Sequence, residues 1–231
     1  MYKRQSLEWV ADAARRHESV LEIAMAVGTV IPARLCTLFG DAAAVARSLE
    51  DGRYRFSATL DFLAGRSEWG IKVFCDEALL DAAICADDPE LLSLARQAST
   101  ASPGLAYVLQ KRRDARREQL RAARKESLTG ILLDEVSARA GALREKPALA
   151  REITGRPEPM VLNAAVLATR ADWEEILDVL EELADDDAAE GFSIEISGPW
   201  PGYSFVDEGA ALDAIESSRP SSPLLARGGV S

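Results

Sequence analysis

From residue 7 to residue 24, Leu7, Val10, Ala14, His17, Leu21 and Ala24 recur at three- and four-residue spacing. That stripe, behind a capping hydroxyl at Ser6, predicts an amphipathic helix closing near Gly28. Thr29 to Phe39 is apolar and β-branched but broken by Pro32, so it reads as an extended segment. A short helix follows the Asp41 cap, another covers about Phe56 to Ala64, and Gly65 closes the unit.

The period then changes from helical to alternating. From Glu68 to Cys75, Trp69, Ile71 and Val73 fall on one face and Glu68, Gly70, Lys72 and Phe74 on the other, as in a half-buried strand. Asp76 and Asp87 or Asp88 cap two short helices, the second with Pro89 in its first turn. Ser102-Pro103 opens the longest helix, predicted to run to about Leu143. Between Lys111 and Lys125 its only large apolar residue is Leu120, so that half is predicted to project into water. The second half docks through Leu128, Ile131, Leu132, Val136 and Leu143, although Gly130 costs a helix about 1 kcal/mol relative to alanine.

Met160 to Thr169 is an apolar run, and Ala171 to Ala189 a helix with Trp173, Ile176, Leu177, Leu180 and Leu183 inward. Phe192 to Ser197 alternates as a strand. Gly198-Pro199-Trp200-Pro201-Gly202-Tyr203-Ser204-Phe205 follows, too rich in proline for helix and presenting three aromatics on a shaped loop. After Asp207 large apolar residues thin out, and Ser217 to Ser231 has the composition of a disordered tail. No internal repeat is present.

Composition narrows the function classes. A formal net charge of -11 over 231 residues opposes general attraction to nucleic acid or an anionic membrane. Cys36, Cys75 and Cys85 are odd in number and lack metal or disulfide spacing, which fits a reducing cytosol. No apolar run spans a bilayer and no secretory signal opens the chain, so a cytoplasmic protein without cofactor or metal is expected.

Candidate chemistry is sparse. His17 sits on a packed helical stripe, where an imidazole is structural before it is catalytic. Glu68 and Lys72 share a strand face, which favours an exposed ion pair over an acid/base pair. Asp185 to Asp187 lack the alternating ligands of a calcium loop and read as solvated charge. The basic stretch 111–125 is the alternative feature, a nucleic-acid grip, but it has no interleaved aromatics.

Three segments together resemble the gas vesicle GvpF/GvpL family: Glu68-Trp69-Gly70-Ile71-Lys72-Val73, Gly104 to Arg112 with Ala106-Tyr107 and Leu109, and the Gly198 to Phe205 loop. In that loop Gly202 stands where the family has a second proline, and Pro32, Arg34, Thr37 and Phe39 match a further segment imperfectly. The resemblance covers about Leu7 to Phe205 and lacks the family's leading strands, as in an N-terminally shortened member. It implies an α+β fold of two domains: a helix-rich, truncated N-terminal domain at 1–65 and a ferredoxin-like C-terminal domain at 66–207 with a long inserted helix, followed by the tail at 208–231.

The resemblance further implies a non-enzymatic assembly protein in the cytoplasm, associated with gas vesicles, that binds the small apolar shell protein GvpA and other accessory proteins. Covering apolar surface and strand edges until assembly would prevent aggregation. Candidate contact residues are Arg112, Arg113, Arg116 and Arg117 on the basic face, Trp200, Tyr203 and Phe205 in the aromatic loop, and the acidic helix around Glu174 to Asp187. The aromatics close a core edge on the simplest reading and anchor a partner on the second.

Overall fold

The computed structural model describes residues 7–206, so the expected caps and tails at 1–6 and 207–231 lie outside the described residues. The chain groups into two compact units, one formed by residues up to Ala64 together with those from Pro201 on, the other by Gly65–Trp200.

The first unit is helical. Helix α1 spans Leu7–Val27, α2 Ala42–Asp51 and α3 Arg53–Leu63. Asp41 caps α2 as the sequence suggests, its Oδ1 accepting from the Ala44 amide at 2.7 Å. Residues 29–39 form no strand: Thr37 N–H and Oγ1 both donate to the Arg34 carbonyl, turning the chain, and Cys36 holds φ at 68° in the left-handed region. Pro201–Val206 belongs to this unit rather than to the sheet, contrary to the boundary at 207. Gly202 seats this return segment on α3, since a Cβ there would stand 2.6 Å from Leu63 Cδ2.

The second unit is a sheet with helices. Strand β1 (Arg66–Cys75) is followed by α4 (Glu77–Asp87), α5 (Pro89–Thr100) and the long α6 (Pro103–Ser137). Then come β2 (Ala142–Glu145), the single turn α7 (Arg151–Thr154), β3 (Met160–Thr169), α8 (Arg170–Asp187), and β4 (Phe192–Trp200). The sheet order is β2-β3-β1-β4 and every neighbouring pair is antiparallel.

The long helix ends at Ser137, short of the expected Leu143, because Leu143 lies in β2 opposite Val166. The Gly141 amide already donates to Leu167 O at 2.9 Å, so the chain has joined the ladder before Leu143. Ile131, placed inward by its spacing, is half exposed.

Alternation on β1 and β3 buries Ile71, Val73, Cys75, Leu162 and Val166 against Leu128, Leu132 and Val136 of α6 and Trp173, Ile176 and Leu180 of α8. The opposite sheet face is more buried than strict alternation predicts. Phe74 lies there beneath the Arg156 guanidinium, 4.2 Å from the ring centroid, and Ala165 and Leu167 are fully enclosed.

Candidate functional site

The basic face of α6 does not project. Arg112 donates to Glu90 at 2.8 Å and Arg116 to Asp88 at 2.9 Å; Arg121 holds Asp81 through two 2.9 Å bonds, and Lys125 reaches Glu77 at 2.6 Å. Asp88 thus carries two loads, since its other oxygen caps α5 through the Leu91 amide at 2.8 Å. The Arg116 hydrogen bond holds the Asp88 carboxyl below the usual carboxylate range. Arg117 lies 3.5 Å from Asp81 and 3.3 Å from Asp114. Arg113 is half-buried with its Nε unpaired. The row expected to meet a partner is therefore largely neutralised by α4 and α5.

Two further sequence readings change and a third holds. Glu68 is buried and meets Lys146 at 3.2 Å, while Lys72 meets Glu195 at 3.3 Å, so Glu68 and Lys72 do not pair with each other in these contacts. Asp187 is buried rather than solvated, its Oδ1 taking a 2.8 Å bond from Arg124, which also binds Glu190. His17 lies on the inner stripe of α1, as expected, and its Nε2 is 2.9 Å from the Tyr203 hydroxyl. Among the described residues no group of three or more His, Cys, Asp or Glu side chains could hold a metal ion.

The aromatic run divides. Trp200 ends β4 at 37% exposure, Tyr203 is 41% exposed, and Phe205 is only 6% exposed within the helical unit. Phe205 is a core residue; the other two keep an accessible edge.

The helical unit contains the feature that sequence reasoning missed, an apolar groove of about 590 Å³. Ile31, Leu35 and Phe39 of the turn segment line it together with Leu49 of α2 and with Phe56 and Leu60, one helical turn apart on α3. Val20, Ile23 and Val27 add a solvent-facing stripe on α1, Val27 at 87% exposure, and Leu38 and Tyr54 are more exposed still or equally so. Apolar side chains are therefore concentrated at the surface of a small unit. The available signal was the apolar density of 30–39 combined with the Phe56/Leu60 spacing, but the groove itself forms only when the two meet.

The fold narrows the class. It matches the crystal structure of gas vesicle protein GvpF from Anabaena sp. PCC7120 with a TM-score of 0.66 at 22% identity, over 89% of this chain and 80% of that one. GvpF from Microcystis aeruginosa matches at 0.60 and 19% identity, with the same coverage. Sequence carries the assignment further. Gas vesicle protein L of Streptomyces sp. (strain CB03234) is 38% identical over 204 residues, 87% of this chain and 71% of that protein. Gas vesicle protein L of Haloferax mediterranei is 29% identical over 90% of this chain and 65% of its own length. Residues 1–207 match the family described as gas vesicle synthesis protein GvpL/GvpF, and the chain belongs to that family. Its role is gas vesicle-related. Among the described residues no helix is long and apolar enough to cross a membrane.

Proposed function

We propose that the chain is a non-enzymatic assembly protein of the cytoplasm that binds the small apolar shell protein GvpA while gas vesicles form. The observation that carries this reading is the apolar groove bounded by Ile31, Phe39, Phe56 and Leu60, with the exposed stripe of α1 in the same unit. A subunit destined for a water-excluding wall carries apolar surface that aggregates when bare, and a groove lined by side chains of the same character removes that surface from water. Family membership supplies the vesicle context.

The sheet unit supports a ferredoxin-like description, since its strands and principal helices run β-α-β-β-α-β and the sheet order is β2-β3-β1-β4, with α4 to α6 together filling the first crossover. The nucleic-acid alternative loses its main support, because the cations of α6 already face Glu77, Asp81, Asp88 and Glu90.

The test is co-sedimentation of GvpA with the purified chain. Wild-type protein is expected to hold GvpA in the supernatant, and Phe56→Asp or Leu60→Asp to release it into the pellet while circular dichroism stays unchanged. GvpA that pellets equally with and without wild-type chain overturns the proposal.

A further inference from the structure

Among the described residues no strand pairs with the outer edge of β4. It ends the sheet, and no residue of 192–200 makes a backbone hydrogen bond outside the β1 ladder among the described residues. The other edge strand, β2, has only four residues and exposes Arg144 and Glu145. β4 has nine, and its stretch Ser193-Ile194-Glu195-Ile196-Ser197 contains no proline, lysine or arginine, the residues that usually block an edge. Beyond it, Gly198 and Pro199 fall in the register shift opposite Glu68 and Gly70, which ends the usable edge.

This stretch has the same sequence in both directions. A second copy could pair with it antiparallel about Glu195 and match every residue: isoleucine beside isoleucine, serine beside serine. That arrangement would also set Glu195 directly opposite its own copy. Like charges in that position are destabilising, and each chain already carries a net charge of -11. Lys72 at 3.3 Å and Arg156 at 3.9 Å approach Glu195 from within the same chain and offset part of that repulsion, as exposed ion pairs do. Phe192 and Ile194 pack against the core, and Ile196, on the same face, stays 37% exposed, leaving an apolar row for an added strand to continue.

We propose that Ser193–Ser197 accepts a fifth strand from a different protein, apolar where it adjoins Ile194 and Ile196 and carrying lysine opposite Glu195, while Glu195 keeps a second copy of this chain off the edge. Backbone bonds supply affinity in such strand addition, and the alternating side chains select the partner. The site shares no residue with the groove, so either can fail without the other.

The probe is a fluorescein-labelled peptide, Thr-Val-Lys-Val-Thr, added to the full chain and followed by fluorescence polarisation and by amide exchange. Binding should slow alternate amides within 193–197. Replacing the peptide lysine with glutamate should weaken binding roughly fivefold to tenfold, and N-methylating alternate peptide bonds should abolish it. Absence of binding at millimolar peptide, equal binding of the methylated peptide, or unchanged exchange at 193–197 on saturation overturns the proposal. In sedimentation, Glu195→Gln should self-associate more strongly than wild type. A wild-type dimer with protected 193–197 amides, or a Glu195→Gln chain no stickier than wild type, overturns the role given to Glu195.

Discussion

Trp69 of β1 and Trp173 of α8 stack face to face, with ring centroids 4.3 Å apart and planes 2° from parallel. The pair fastens the helix to the strand at the margin of the main core, where Trp173 is buried and Trp69 half-buried. Trp173→Ala is expected to cost about 3–5 kcal/mol in urea unfolding, and Trp69→Ala less. Because the rings share one contact, the double variant should lose less than the sum of the two, a coupling that a double-mutant cycle measures directly.

Arg124 and Arg112 both form ion pairs from α6, but in different settings. Arg124 satisfies the buried Asp187, whereas both partners in the Arg112–Glu90 pair are well exposed. Arg124→Gln should destabilise by about 1.5–3 kcal/mol by removing a charge-assisted hydrogen bond to the buried Asp187, and Arg112→Gln by less than about 1 kcal/mol. Equal losses in thermal unfolding would contradict this ranking.

Acid should loosen the α4–α5–α6 layer in a defined sense. The hydrogen bond from Lys125 holds the Glu77 carboxyl below its usual value, and the bond from Arg116, reinforced by the Leu91 amide, does the same for Asp88. A carboxyl depressed in the folded state binds fewer protons there than in the unfolded chain. Its stabilisation is therefore complete above the unfolded value of about 4 and is lost as pH falls through the folded values. Lys125→Met and Arg116→Met should trail wild type by a constant margin at neutral pH, and that margin should shrink below about pH 4. A margin that grows in acid would reverse the sign.

The three thiols should alkylate in sequence. Cys36 is exposed on the groove wall, Cys85 is intermediate, and Cys75 is enclosed in the core. Burial pushes the Cys75 thiol above its ordinary value, against an opposing pull from Lys125, and the thiolate is the reactive form. Timed iodoacetamide labelling with peptide mapping should find Cys36 modified first and Cys75 only on unfolding.

Within the aromatic run, Phe205→Ala should lower stability by about 3 kcal/mol or more, while Trp200→Ala, with its indole partly in water, should lower it by less. Thermal melts of the two variants check this order.

Local chemistry was legible wherever a few neighbouring residues decide the outcome. Asp41, Asp76 and Asp88 announce their helices because a carboxylate two or three residues before a free amide needs nothing else to cap it. The alternation of Trp69, Ile71 and Val73 fixes β1 in the same way. Strand β2 escaped because Ala142-Leu143-Arg144-Glu145 is made of good helix formers, and Leu143 continues the spacing of Val136; its pairing with β3 overrides both. The ion pairs of α6 escaped for a related reason. Arg116 and Asp88 are 28 residues apart, and Arg121 and Asp81 are 40, so only the packing of α4 and α5 on α6 reveals that the row is satisfied. The groove is equally nonlocal, with Val206 lining it alongside Ile31 and Phe56.

Glu68 and Trp200 are register partners, so the sheet unit leaves the ladder beside the point where it began. The helical unit, by contrast, is assembled from two stretches interrupted by that whole insert. Bringing Gly202 onto Leu63 is a long-range ring closure, and its entropic cost falls once the insert has already joined its own ends. Pairing of β1 with β4 thereby shortens the loop that the helical unit has to close, although that unit contains none of the ladder's residues.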